Sequence, residues 1–301
     1  MFRFAPTPSR IATLVPTLTP SDRLELAAKA RATPGRPVVV KLGGSAMEEP
    51  AATRGTLEAV AALQDAGFKI VLVHGGGKPI DRAMAAAGLT PVKVQGRRFT
   101  DDVTLAIVVK VLGELNAGLE RDLRNLGGRA LGYGELAGFP LFGERLLLPG
   151  LDLNPVDLGR VGTVTRVEAA ALLAILKDAV PVLPSLCVSD DDGDWLNVNA
   201  DTVAAAVAKA LDAESVLFLT DTPGILRDRD DPGSRLAELT RAECEQLLSD
   251  GVITGGMVPK VEACFDALDA GAKRAVILDG RDPHALTDDA LGRPAGTAIR
   301  A

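Results

Sequence analysis

With 301 residues and a 47% hydrophobic fraction but only 3% aromatic side chains, the chain can build one large α/β domain or two modest ones from Ala, Val, Leu and Ile. A formal charge of −7, from 33 Lys and Arg against 40 Asp and Glu, and the scarcity of rings argue against nucleic acid or anionic membrane as a partner. Cys187, Cys244 and Cys264, with His74 and His284, form neither a disulfide framework nor a metal-ligand spacing; with no long apolar run and no secretory signal, the expected setting is cytoplasmic.

Residues 1–34 read as an N-terminal arm. Pro6, Pro8, Pro16 and Pro20 break its first twenty positions, and Ser21-Asp22 can cap a helix through Arg23 to Ala30. From Arg36 onward, apolar strands and helical stretches alternate. Strands are predicted at Val38–Lys41, Lys69–Val73, Val180–Leu183, Ser215–Leu219, Arg274–Leu278 and Gly296–Arg300. Helices are predicted at Thr56–Ala66, Ile80–Ala87, Thr100–Leu126, Thr165–Asp178, Asn199–Leu211, Arg241–Asp250, Pro259–Ala270 and His284–Leu291. Residues 129–166 read as short strands and hairpins, and Asp190-Asp191-Asp192 as a solvated hairpin tip. The fold class is therefore α/β, a three-layer αβα sandwich with a mostly parallel central sheet, whose ligands bind beyond the carboxyl ends of the strands.

Six segments carry the candidate chemistry. Lys41-Leu42-Gly43-Gly44-Ser45 places a lysine and two glycine amides at a strand tip, which suits a phosphate; a tight β–α turn is equally open. His74-Gly75-Gly76-Gly77-Lys78-Pro79 exposes backbone donors at a helix start but is neither a P-loop nor a dinucleotide fingerprint. His74 reads there as a packing and hydrogen-bonding residue. In Arg97-Arg98-Phe99-Thr100-Asp101, Arg97 reads as solvated, Arg98 can clamp a carboxylate, and Thr100 or Asp101 can cap the next helix. Asn197-Val198-Asn199-Ala200-Asp201 gives Asn199 as an N-cap and puts Asp201 where a helix dipole favours an anion. Thr220-Asp221-Thr222-Pro223-Gly224 can hold a nucleotide or be a plain turn. In Thr254-Gly255-Gly256-Met257-Val258-Pro259-Lys260, the lysine opposes its own helix dipole, a conflict that a contacting anion resolves.

In this order, over nearly all of the chain from Arg36, these segments resemble the amino acid kinase family, and within it the N-acetylglutamate kinases. The resemblance implies ATP-dependent phosphorylation, with Mg²⁺, of the side-chain carboxylate of N-acetyl-L-glutamate in arginine biosynthesis. It implies that Lys41 and Lys260 neutralise the transferring phosphoryl group and that Asp201 holds both lysines. Gly76, Gly77, Arg98 and Asn197 would bind the acceptor substrate, and Gly43, Gly44, Thr220, Asp221, Gly224 and Met257 the nucleotide; no residue is assigned to a metal. Residues 35–210 would form a substrate-binding, dimerising lobe and 211–301 a nucleotide-binding lobe. A homodimer is implied, with a hexamer and an arginine effector known among members of the family.

The chain departs from the family pattern at Gly132-Tyr133-Gly134-Glu135, at Cys187, and in the shortened stretch from Pro283 to Ala290. Two alternatives are weighed against this reading: a related kinase with another carboxylate acceptor, and a non-catalytic sensor of arginine or nucleotide. Three charged groups suited to phosphoryl transfer, Lys41, Asp201 and Lys260, argue against the sensor.

Overall fold

A computed structural model describes residues 18–32, 35–44, 46–135, 138–149 and 155–301. In chain order its first half comprises α1 (Pro20–Ala32), β1 (Val38–Leu42), α2 (Pro50–Asp65), β2 (Ile70–His74), α3 (Gly77–Ala86), β3 (Lys93–Val94), β4 (Arg97–Arg98), α4 (Asp102–Asn125), β5 (Ala130–Gly132), β6 (Leu141–Leu148) and β7 (Val156–Val167). Then come α5 (Ala169–Ile175), β8 (Val180–Pro184), β9 (Leu186–Ser189), β10 (Trp195–Val198), α6 (Ala200–Ala210), β11 (Ser215–Thr220), β12 (Glu238–Thr240), α7 (Arg241–Ser249), α8 (Val258–Asp269), β13 (Arg274–Asp279), α9 (Ala285–Leu291) and β14 (Gly296–Arg300).

Eight strands form one sheet in the order β12-β14-β13-β11-β1-β2-β8-β5. Every pairing is parallel except β13 with β14. The two halves of the chain meet at β1 and β11, where Lys41 pairs with Phe218 and Leu42 with Leu219. Side chains of a strand alternate between faces, and the two faces bury different clusters. Val39, Val73, Phe218 and Ile277 pack with Val203, Val207, Val261 and Cys264 of α6 and α8. Val40, Leu42, Leu72 and Leu219 pack with Leu57, Val60, Leu119 and Leu286 of α2, α4 and α9. Both faces are covered by helices, which is the physical reason the strands read as continuous apolar runs.

A second set of strands, β10-β7-β6-β9, closes on itself beside the main sheet. β3 and β4 form a small hairpin, with Lys93 opposite Arg98. The segment after this hairpin is fixed to β7 by Thr100, whose amide donates to Leu158 O at 3.0 Å and whose carbonyl accepts from Arg160 N at 2.6 Å. α1 lies on α9, with Leu26 buried and Lys29 Nζ donating to Leu291 O at 2.5 Å.

The helix expected at Thr165–Asp178 is shorter, because β7 continues through Val167 and pairs with Leu141. Val164, Thr165 and Val167 are β-branched, and cross-strand partners on β6 override a weak helical periodicity. The cap of α1 is Thr19 rather than Ser21: its hydroxyl accepts from Asp22 N at 3.1 Å while the Asp22 carboxylate accepts from Thr19 N at 3.0 Å. β9 and β10 were not foreseen as strands, although the Asp190–Asp192 tip between them was. The expectations placed on Pro6, Pro8, Pro16 and Ser45 lie outside the described residues.

Candidate active site

The alternation along β1 decides where Lys41 goes. Val40 and Leu42 enter the α2/α4/α9 side, so Lys41 shares the α6/α8 side with Val39. Only 14% of its side chain is exposed, and its Nζ forms an ion pair with Asp201 Oδ1 at 2.7 Å. Asp201 is in the first turn of α6, where the amide dipoles favour a carboxylate. Asn199 starts that helix, its Oδ1 accepting from Asp201 N at 2.7 Å.

The two glycines after β1 play different structural parts. Gly43 N donates to Leu219 O at 3.0 Å, and a Cβ on Gly43 would lie 2.6 Å from that oxygen. Gly44 is next to open space, with nothing within 4 Å of where its Cβ would be. One glycine lets β1 and β11 converge; the other leaves a clear floor beside Lys41.

Across that floor, Lys260 stands in the first turn of α8. Its Nζ is 2.7 Å from Asp221 Oδ1 and 3.4 Å from Thr222 Oγ1. The hydrogen bond from Lys260 holds the Asp221 carboxyl below the ordinary aspartate range. Asp201 was expected to hold both lysines; in the structure it holds Lys41, and Lys260 pairs with Asp221. A cation at a helix N-terminus needs a nearby anion, and Asp221, just past the tip of β11, supplies it.

Three adjoining cavities form a trough along the strand ends. The first, of about 330 Å³, is lined by Lys41, Gly44, Gly76, Gly77, Arg98 and Asn197 among others. The second, of about 230 Å³, is lined by Lys41, Gly43, Gly44, Asp201, Thr220, Asp221 and Lys260. The third, of about 340 Å³, takes in Asp221, Gly224, Met257 and Lys260. All the residues that the resemblance assigns to catalysis, acceptor or nucleotide thus line one trough. Lys41 and Gly44 stand at the first junction, and Asp221 and Lys260 at the second.

Sequence reasoning assigned no role to several lining residues, some of them inside the six segments. Lys78, Asp81, Lys93 and Ser185 face the first cavity, and Thr222, Arg229 and Thr254 the third. Gly256, at the second junction, carried a signal, since it sits in the Thr254-Gly255-Gly256 turn. Asp81 carried none that was read. The first cavity also holds five cations (Lys41, Lys78, Lys93, Arg97 and Arg98) against one carboxylate, Asp81. An acidic chain has here concentrated positive field in a concave site.

His74 is fully buried. Its Nε2 is 3.0 Å from Asn116 Nδ2 and its Nδ1 3.0 Å from Gly75 O, which fits the neutral tautomer protonated at Nδ1. Burial lowers its pKa from 6.5 to about 4. The thiols are equally unsuited to attack: burial raises Cys187 to about 12 and Cys244 to about 11, and Cys264 also shifts upward. The trough offers cations and backbone donors rather than a nucleophile with its base.

Residues 36–279 match the model of the amino acid kinase family. The chain is 41% identical over 265 residues to an acetylglutamate kinase of Synechococcus sp. (strain CC9605), covering 86% of this chain and 88% of the relative. It is 37% identical over 306 residues to an acetylglutamate kinase of Cupriavidus pinatubonensis, covering 98% and 97%. Among solved structures, N-acetylglutamate synthase of Neisseria gonorrhoeae, in complex with coenzyme A and N-acetylglutamate, superposes with a TM-score of 0.79 at 24% identity. That match covers 93% of this chain and 63% of the synthase, and it supports the fold alone. A trough built at the carboxyl ends of a mostly parallel sheet, a family match over 36–279 and relatives matched over nearly their whole length lead to one conclusion: the chain belongs to the amino acid kinase family.

Proposed function

We propose that the protein transfers the γ-phosphoryl group of ATP to the side-chain carboxylate of N-acetyl-L-glutamate, giving N-acetyl-glutamyl phosphate for arginine biosynthesis. The observation that carries this reading is the position of Lys41 at the junction of two cavities, one cation-rich and one leading toward Lys260. The acceptor occupies the first cavity, with Arg98 and Asn197 on its α-carboxylate and acetamido end and the amides of Gly76 and Gly77 near the reacting carboxylate. The nucleotide occupies the third cavity, beside Asp221, Gly224 and Met257, and extends into the second, where Thr220 lies and the phosphates reach back over Gly43 and Gly44.

In the step itself, a carboxylate oxygen bonds to the γ-phosphorus. The bond from that phosphorus to the β–γ bridging oxygen breaks, and ADP leaves with the electron pair. The attacking group is already ionised at neutral pH, so no proton is moved and no general base is needed. Catalysis is then positioning together with charge stabilisation. Lys41 faces the phosphoryl group from the acceptor side and Lys260 from the nucleotide side, while Asp201 fixes Lys41 and Asp221 fixes Lys260.

Mg²⁺ would arrive on the phosphate oxygens of the nucleotide, where it supplies further positive charge. Among the described residues there is no cluster of three or more His, Cys, Asp or Glu side chains fit to hold a metal. The three carboxylates in the trough are each already paired with a cation: Asp81 with Arg98, Asp201 with Lys41 and Asp221 with Lys260. The donor set does not fit a protein-held metal, and none is assigned.

The division into a 35–210 acceptor lobe and a 211–301 nucleotide lobe is part of this proposal, supported by the meeting of the two halves at β1 and β11. So are a cytoplasmic setting and a homodimer; a hexamer with an arginine effector is the alternative assembly. A coupled ADP-release assay on protein of measured mass, with N-acetylglutamate or glutamate as acceptor and with or without arginine, tests the reading. Turnover confined to N-acetylglutamate is expected; a preference for glutamate, or nucleotide binding without turnover of either, rules the reading out.

A further inference from the structure

Arg98 is almost wholly buried, and the groups that hold it come from a single helix. Its Nη1 is 2.5 Å from Asp81 Oδ1 and donates to Met84 Sδ at 3.2 Å, and its Nη2 donates to Gly77 O at 3.1 Å. Gly77, Asp81 and Met84 are spaced i, i+4 and i+7, one face of α3. A guanidinium has five N–H groups. Among the described residues, no acceptor takes Nε–H or the second Nη2–H, the two donors that meet a carboxylate side-on.

Asp81 does more than neutralise Arg98. Its other oxygen, Oδ2, is 3.5 Å from Lys93 Nζ. Lys93 and Arg98 are direct cross-strand partners in the β3–β4 hairpin. One carboxylate on α3 therefore holds both strands of the hairpin, and all three side chains line the acceptor cavity.

We propose that Asp81 is a positioning residue for acceptor recognition. It fixes the Arg98 guanidinium with its Nε/Nη2 edge presented to the α-carboxylate of the acceptor, and it seats the β3–β4 hairpin against α3. This rests on the proposed function, because it needs an acceptor with a carboxylate besides the one that reacts. Asp81 itself touches no reacting atom. Its loss therefore weakens a contact made equally in the ground and transition states, which raises KM and leaves kcat.

The test compares two acceptors: N-acetyl-L-glutamate, and N-acetyl-L-isoglutamine, in which the α-carboxylate is an amide. The ratio of their kcat/KM values does not depend on the fraction of enzyme folded. In Asp81→Ala, the KM for N-acetylglutamate is expected to rise about tenfold with kcat within about twofold, and the preference for N-acetylglutamate to fall about tenfold. Asp81→Asn keeps an acceptor of the same size without the charge, and should lie between wild type and Asp81→Ala. Equal losses on both acceptors, or no change on either, overturn the role of Asp81 while the proposed function stands. Absence of N-acetylglutamate turnover in the wild type overturns that function, and this role with it.

Discussion

Lys41 is an expensive residue to bury, and Asp201 is what makes it tolerable. With 14% exposure and a carboxylate 2.7 Å away, the Lys41 side chain has an ion-pair partner at a place where a phosphate can meet it. Replacing Lys41 by Ala should lower kcat by about 10³-fold or more in single-turnover and steady-state assays of protein that still melts cooperatively, though at a lower temperature because Asp201 loses its partner; near-normal turnover would remove Lys41 from the mechanism. His74 makes a prediction of a different kind. Its pKa falls from 6.5 in the unfolded chain to about 4 in the folded one, so between these values the unfolded state binds more protons. Its contribution to stability is complete above pH 6.5 and is lost as the pH falls toward 4, a change of up to about 3 kcal/mol. Urea melts from pH 7 to 4 should show that decline, and His74→Gln should flatten it without abolishing turnover at pH 7.5.

At the scale of elements, the strand tips carry the site, and the glycines there separate folding from function. Gly43→Ala sets a methyl 2.6 Å from Leu219 O, backbone that cannot move without opening the β1–β11 seam. A loss of about 1–3 kcal/mol is expected on denaturation. Gly44→Ala meets nothing within 4 Å, so its stability should stay within about 0.5 kcal/mol. Its activity should still fall, because the new methyl narrows the floor beside Lys41; full activity with normal stability would show that phosphates do not pass over Gly44. Several elements were legible from the residues alone. The runs at Val38, Ile70 and Ser215 became buried central strands, and Asn199 and Asp101 became the caps of α6 and α4. β7 was half missed, because its pairing with β6 joins segments whose own periodicity is indecisive.

At the scale of the whole molecule, both halves of the chain complete one sheet, and the trough lies across their seam. Ligands that bind across a seam hold the native state together. A non-hydrolysable ATP analogue at about 100 times its Kd should therefore add about 2.7 kcal/mol to unfolding. A fragment of residues 1–210 leaves the β1 edge without β11. That fragment should be aggregation-prone alone and should recover a sharp thermal transition when co-expressed with 211–301. A soluble, cooperatively melting 1–210 fragment would show that the seam is not part of one folding unit.

The sequence by itself determined which chemistry is present: lysines beside glycines at strand tips, an aspartate in a helix's first turn, and no usable nucleophile. Those are local facts of residue type and spacing, and the alternation of strands and helices carried them to one end of a parallel sheet. The tertiary structure alone decided the pairings. Asp201 took Lys41 and Asp221 took Lys260, and Asp81 was found holding Arg98 and Lys93. Ion pairs between distant segments depend on register, helix rotation and the reach of side chains, and none of these is written in the spacing of residues along one segment.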